Sequence, residues 1–204
     1  DKLLTVHHAA VFNGYVNALE QVSGLAIGNY THLMEAILQR HNFFHENGCR
    51  LSDHGLENFY AEDYATGDMD MIFNRVRRGD QLSGEQILKF RSGILHDLAI
   101  LDHEKGWTQQ FHIGAMRNNS IRLYDEKGPD IGFDSIGDYA VAGPMSRFLG
   151  RLDQKKKLAK TILYNLNPAD NEVMATMAGN FQDGTVPGKI QFGSGWWFLD
   201  QKDG

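Results

Sequence analysis

Residues 11–22 place Val11, Tyr15, Leu19 and Val22 at helical spacing, and residues 24–29 read as a turn. Thr31 is a candidate cap for a second helix with Met34, Ile37, Leu38, His41 and Phe44 on one face, and Gly48 is placed to end it in a left-handed conformation. A short strand is expected at residues 49–52, followed directly by the polar Asp53-His54-Gly55. Residues 69–78 read as a helix stopped by Gly79. Ser83-Gly84-Glu85-Gln86 then forms a capping box, in which the Ser83 hydroxyl accepts from the Gln86 amide and Gln86 reaches back. Behind it Ile87, Phe90, Ile94, Leu98 and Leu101 recur every three or four positions up to Gly106, the clearest helical pattern in the chain. A strand follows at 107–113, then a long loop through Gly128-Pro129 and Gly132-Phe133-Asp134. A helix at 144–154, a strand at 161–166, a helix at 170–181 with Val173, Met174 and Met177 inward, and a strand at 189–192 complete the pattern.

From residue 49 onward the order is strand, helix, strand, helix, strand, helix, strand, the alternation of a parallel sheet with crossover helices. The polar residues gather at the C-terminal ends of these strands: Asp53 and His54, His112 and Arg117, Asn165 and Asn167, Ser194 and Trp196. Parallel α/β folds put their chemistry at those ends, whether the sheet is open or closed into a barrel.

Composition narrows the class further. The chain has 204 residues, 42% hydrophobic and 23% charged, which is globular and not disordered. A net charge of −6 argues against a nucleic-acid partner. The basic runs Arg75-Val76-Arg77-Arg78 and Lys155-Lys156-Lys157 fit helix ends, where cations meet the negative pole of the dipole. The one cysteine, Cys49, excludes an internal disulfide, fits a reducing, cytoplasmic setting and reads as a buried small hydrophobe. No apolar run approaches the roughly 20 residues of a membrane helix, and no signal-peptide pattern is present. The chain opens at Asp1 and stops after Asp200-Gln201-Lys202-Asp203, and neither end reads as a natural terminus. The expectation is an internal piece of a larger α/β enzyme.

Four side chains are candidates for chemistry, each with a plainer reading beside it. Alternation puts His112 on the face opposite Phe111 and Ile113, where it serves a metal or a hydroxyl, or is a hydrogen-bonded core histidine. Arg117, just past a strand, has the fork geometry that grips a carboxylate, or is a surface arginine of a loop. Asp53 holds a proton or caps the next segment. Trp196-Trp197 after Gly193-Ser194-Gly195 offers a sugar ring an apolar face and an N–H, or fills the core. The remaining histidines show no His-x-His and no complete zinc set. Phosphate loop, nucleophile elbow and dinucleotide fingerprint are absent from the sequence.

Several long motifs in order point to a family. Phe111-His112-Ile113-Gly114-Ala115-Met116-Arg117-Asn118-Asn119 resembles the uronate isomerases of the amidohydrolase superfamily. The resemblance also runs through Cys49-Arg50-Leu51-Ser52-Asp53-His54-Gly55, residues 128–138, residues 160–168, Asp170-Asn171-Glu172-Val173, Gln191-Phe192-Gly193-Ser194-Gly195-Trp196-Trp197-Phe198 and residues 200–204. It implies an α/β fold that is a partial (β/α)8 TIM barrel, about strands four to seven. Residues 1–48 would be a helical insertion and residues 49–204 the barrel segment. It implies catalytic roles for Asp53 and His112, with His112 facing a divalent metal, zinc, and substrate contacts from Arg117 and Trp196. The implied reaction interconverts D-glucuronate and D-fructuronate, or D-galacturonate and D-tagaturonate, through an enediol. The family's His-x-His metal pair, its Asp-Ser-Arg triplet and its early catalytic tyrosine are absent from this sequence. The segment by itself is therefore expected to be inactive and to self-associate through open sheet edges. The alternatives are a non-catalytic module that binds sugar acids and an oligomerisation segment without a ligand.

Overall fold

The structure, a computed structural model, describes residues 2–197. Phe198 and residues 200–204, the last stretch of the resemblance, lie outside the described residues. Two helices, α1 (Ala9–Ser23) and α2 (Tyr30–Glu46), precede the first strand, β1 (Leu51–Leu56). Helices α3 (Thr66–Arg77) and α4 (Gly84–Lys105) lead to β2 (Thr108–Ile113). The expected long loop holds a two-residue strand β3 (Ala115–Met116), a short helix α5 (Ile121–Lys127) and a second two-residue strand β4 (Ser135–Ile136), which pairs antiparallel with β3. Helix α6 (Ala142–Gln154), β5 (Lys160–Asn165), a 3-10 turn at Pro168–Asp170, α7 (Asn171–Gly179) and β6 (Ile190–Phe192) follow. The main sheet is parallel with order β1-β2-β5-β6, so each strand lies beside the next one in the chain.

Alternation along β2 sorts the two faces of this sheet. Gln109, Phe111 and Ile113 are buried, while Gln110 and His112 on the other face are half-exposed. Phe111 packs edge-on against Phe59 (ring centroids 5.1 Å) and Phe148 of α6 (5.5 Å), and it anchors the helix-covered layer. The polar Gln109 enters the same layer because its Nε2 donates to Thr161 Oγ1 at 2.9 Å on the neighbouring strand. The helices before β1 belong to the same core. Phe12 of α1 meets Phe90 of α4 edge-on at 5.7 Å, and Tyr30 of α2 meets Phe90 at 5.8 Å. Among the described residues, no helix is long and apolar enough to cross a membrane.

The capping box forms as expected: Ser83 Oγ accepts from Gln86 N at 3.2 Å and Gln86 Oε1 accepts from Ser83 N at 3.0 Å. Gly106 closes α4 with φ 66°, a left-handed conformation open to glycine without a side-chain clash. Four local expectations are corrected. The buried stripe of α1 is Phe12, Val16 and Leu19, whereas Val11 and Val22 face solvent, because a second apolar series one residue on packs against α3 and α4. Asn29, not Thr31, caps α2, its side chain accepting from His32 N at 2.8 Å. Cys49 is half-buried rather than buried, its Sγ donating to Leu51 O. Strand β1 starts and ends later than residues 49–52, so Asp53 and His54 sit inside the strand on opposite faces.

His54 lies on the helix side of β1, its ring stacked on Phe111 with centroids 5.6 Å apart. Burial holds this imidazole down at about 4, below its ordinary 6.5. Between those values the unfolded chain binds a proton that the folded chain does not, so stability is full above about 6.5 and falls as pH drops towards 4. Urea midpoints should decline over that window, by up to about 1.4 kcal/mol per pH unit, and His54→Gln should flatten the decline. An unchanged slope in His54→Gln would assign the pH dependence to other groups.

Candidate functional site

The open face of the sheet is built by the side chains that alternation turns away from the helices. In the parallel register Gly55 pairs with His112 and His112 with Tyr164, one row near the C-terminal strand ends. One step towards the N-termini on the same face, Asp53 pairs with Gln110 and Gln110 with Ile162. Two diagonal contacts join the rows. His112 Nδ1 lies 2.6 Å from Asp53 Oδ1, and Gln110 Nε2 donates to the Tyr164 hydroxyl at 3.1 Å. A carboxylate only accepts, so Nδ1 carries the proton in this bond and Nε2 is the ring nitrogen left for another partner.

Aromatic rings enclose that imidazole. Tyr164 stacks on His112 with centroids 4.5 Å apart and planes within 10°. Trp196 lies against it at 4.6 Å and 55°. Trp197 adopts φ 50°, a left-handed conformation that strains a bulky residue, and its ring sits 5.8 Å from Trp196. The Arg117 guanidinium carbon lies 5.3 Å from the Trp197 ring centroid. Asp53, His112, Trp196 and Arg117 thus form one chain of contacts, with Trp197 as the link to Arg117.

The loop that carries Arg117 is stapled in place. Asn118 has φ 57°, a conformation asparagine tolerates, and its N–H donates to Asp134 Oδ1 at 2.7 Å. Asn119 Nδ2 donates to Met116 O at 2.9 Å and to Ser135 Oγ at 3.1 Å, tying the turn across β3 and β4. Arg117 NH1 stands 3.5 Å from Asp134 Oδ2 and 3.7 Å from Asp130 Oδ1, longer than a tight bidentate pair. Arg117 also lines a cleft of about 410 Å³ with Gly55, Tyr60, Arg91 and Asp130, at the C-terminal end of β1. A cleft of this size suits a small organic ligand.

Other polar groups singled out in the sequence serve the scaffold. Asn165 is buried on the helix side, where its Nδ2 donates to Asn167 O at 2.7 Å and Asn171 Oδ1 at 2.9 Å. Asn167 caps the 3-10 turn by accepting from Ala169 N. His41 and His45 stand one turn apart on α2, yet both are spent on packing. His41 Nε2 meets Asp102 Oδ1 at 3.1 Å, and His45 Nδ1 accepts from Trp107 Nε1 at 2.9 Å. Tyr164 and Gln110 were not singled out in the sequence, although alternation in β2 and β5 places both on the face of His112.

The described residues include no group of three or more His, Cys, Asp or Glu that could hold a metal ion. They offer a metal the His112 Nε2, with Asp53 fixing the other nitrogen in the manner of a carboxylate behind a metal-bound imidazole. A complete coordination sphere is not assembled by these residues.

The family model for glucuronate isomerase matches residues 1–204. The uronate isomerase of Bacteroides fragilis is 57% identical over all 204 residues, which cover 44% of its length. That of Bacteroides thetaiotaomicron is 58% identical over the same span, again 44% of its length, and that of Cellvibrio japonicus is 55% identical, over 43% of its length. The crystal structure of uronate isomerase from Thermotoga maritima superposes with a TM-score of 0.89 at 25% identity, covering 98% of this chain and 43% of that one. Glucuronate isomerase from Caulobacter crescentus gives 0.74 at 26% identity, covering 88% and 36%. The chain belongs to the glucuronate isomerase family and spans less than half the length of the relatives it matches.

Proposed function

We propose that this chain is part of an aldose–ketose isomerase that interconverts D-glucuronate and D-fructuronate, and also D-galacturonate and D-tagaturonate. The observation that carries the reading is the Asp53–His112–Trp196 cluster on the open face of a parallel sheet in a chain of this family. The reaction moves a proton between C2 and C1 through an enediol. Trp196 offers the sugar ring an apolar face, and Arg117 offers the carboxylate a guanidinium. Asp53 fixes the His112 tautomer so that Nε2 meets a substrate hydroxyl or a metal. A divalent metal, zinc being the candidate, would take its remaining ligands from outside these residues and polarise the carbonyl and hydroxyl oxygens.

In this reading β1, β2, β5 and β6 are the fourth to seventh staves of a (β/α)8 barrel, residues 49–204 its barrel segment and residues 1–48 a helical insertion before it. The unreversed strand order and a sheet covered by helices on one face support closure rather than a doubly wound sheet. The setting proposed is the cytoplasm. A non-catalytic segment that holds sugar acids is the second reading, favoured by the incomplete metal set.

Isomerisation of D-glucuronate with added zinc or manganese, by this chain and by a chain of the length of its relatives, tests the proposal. Turnover by the longer chain and not by this one is expected. An inactive longer chain sinks the isomerase reading, and an active short one overturns the assignment of the metal ligands elsewhere. In the longer chain, Asp53→Asn should lower kcat on the order of a hundredfold, since the amide permits the wrong imidazole tautomer. Unchanged kcat would remove Asp53 from the machinery. Among the described residues β1 and β6 each pair on one side only, so light scattering of this chain should show self-association; a clean monomer would contradict it.

A further inference from the structure

We propose that Tyr164 is the positioning residue of His112, a platform that fixes the imidazole plane and so aims Nε2 across the open face. A hydrogen bond from Nδ1 to Asp53 sets which nitrogen carries the proton, but it leaves the ring free to rock about that bond. The parallel stack with Tyr164, 4.5 Å between centroids and 10° between planes, removes this freedom. Trp196 lies against the imidazole at 4.6 Å and 55°, a tilt that confines the ring without defining its plane.

The platform is itself held from two sides. Gln110 Nε2 donates to the Tyr164 hydroxyl at 3.1 Å and pins the far end of the ring. Along one edge of the ring the chain runs past as Gly193, where a Cβ would run into Tyr164 Cε1 and Cδ1. Gly193 N donates to Leu163 O at 2.8 Å, so this backbone is fixed against β5 and cannot retreat cheaply. The glycine before Ser194-Gly195-Trp196 is therefore needed for close approach to an aromatic platform, and its φ is not the reason. Tyr164 shares the register row of His112, which keeps the two rings at neighbouring-strand spacing.

The consequence for turnover rests on the isomerase reading; the stack does not. Two measurements separate them. On this chain, the His112 ring protons in a carbon–proton correlation spectrum should lie upfield through the Tyr164 ring current. They should stay there in Tyr164→Phe and move towards ordinary positions in Tyr164→Leu and Gly193→Ala. Gly193→Ala keeps the tyrosine and displaces it, so it guards against a leucine variant that simply fails to fold. On the longer chain with D-glucuronate, Tyr164→Leu should lower kcat on the order of tenfold to a hundredfold with little change in KM, and Tyr164→Phe should restore most of the rate. His112 shifts that are the same in wild type and in folded Tyr164→Leu or Gly193→Ala would overturn the proposal. So would a Tyr164→Leu chain whose loss is in KM alone, or a Tyr164→Phe chain as impaired as Tyr164→Leu. A wild-type longer chain inactive on uronates would sink the functional reading, and the ring-proton shifts would still decide the platform.

Discussion

Phe111 and His112 are adjacent in sequence and have opposite duties, and the molecule depends on keeping them on opposite faces of one strand. Phe111 is fully buried between Phe59 and Phe148, while His112 faces outwards to Asp53, Tyr164 and Trp196. A strand has a side-chain period of two, so a slip of one residue would bury the imidazole and expose the phenylalanine. Losing the Phe111 ring from the core costs on the order of 3 to 5 kcal/mol, which makes the slipped register untenable. The apolar layer under the helices thus sets the geometry of the polar face above it.

The polar residues of the same helix-side layer each make a hydrogen bond, although Gln109 Oε1, Asn165 Oδ1 and His41 Nδ1 are left without a partner. Asp102, nearly inaccessible at the end of α4, takes His41 Nε2 at 3.1 Å and Ser52 Oγ at 2.5 Å, joining α2 and β1 to α4. His41 stacks on Trp107, with centroids 3.9 Å apart, and Trp107 donates to His45. A buried carboxylate costs several kcal/mol unless it is met in this way, so these contacts tie α2 and β1 firmly to α4 at the N-terminal strand ends. The outward-facing ends differ: there Asp53 is met by His112 Nδ1 at 2.6 Å, and its side chain stays half-exposed.

Much of the fold was legible from spacing. The four parallel strands, the Ser83 capping box and the Gly106 stop follow from local chemistry that tertiary structure does not override. The misreadings share a cause. Helix α1 carries two interleaved apolar series, and only packing chooses Phe12, Val16 and Leu19 over Val11 and Val22. Asn29 and Thr31 both suit a helix start, and the backbone at Asn29 decides between them with its extended conformation. At the site, Asp53, His112 and Trp196 were found as separate strand-end polar or aromatic residues, and their mutual contact is a matter of register. Tyr164 carries no such signal in the sequence: a lone tyrosine in a strand suits many roles until its partner across the row is known.

The charge balance around the open face bears on what it can hold. The chain is acidic overall, and an anionic sugar acid would be repelled by most of its surface. Arg117 is the cation tied to the aromatic cluster, and its contacts with Asp130 and Asp134 are long, 3.7 and 3.5 Å. Asp134 is nearly buried and its other oxygen is committed to Asn118 N, so it cannot swing to tighten on the guanidinium. A guanidinium with five donors and two distant carboxylates keeps most of its hydrogen-bonding capacity. On the proposed reading, a sugar-acid carboxylate would add to Arg117 without displacing an established bidentate pair, and the cost of separating an ion pair would be avoided. The aspartates then orient the fork instead of neutralising it. The loop of β3, α5 and β4 holds that arrangement beside Trp197.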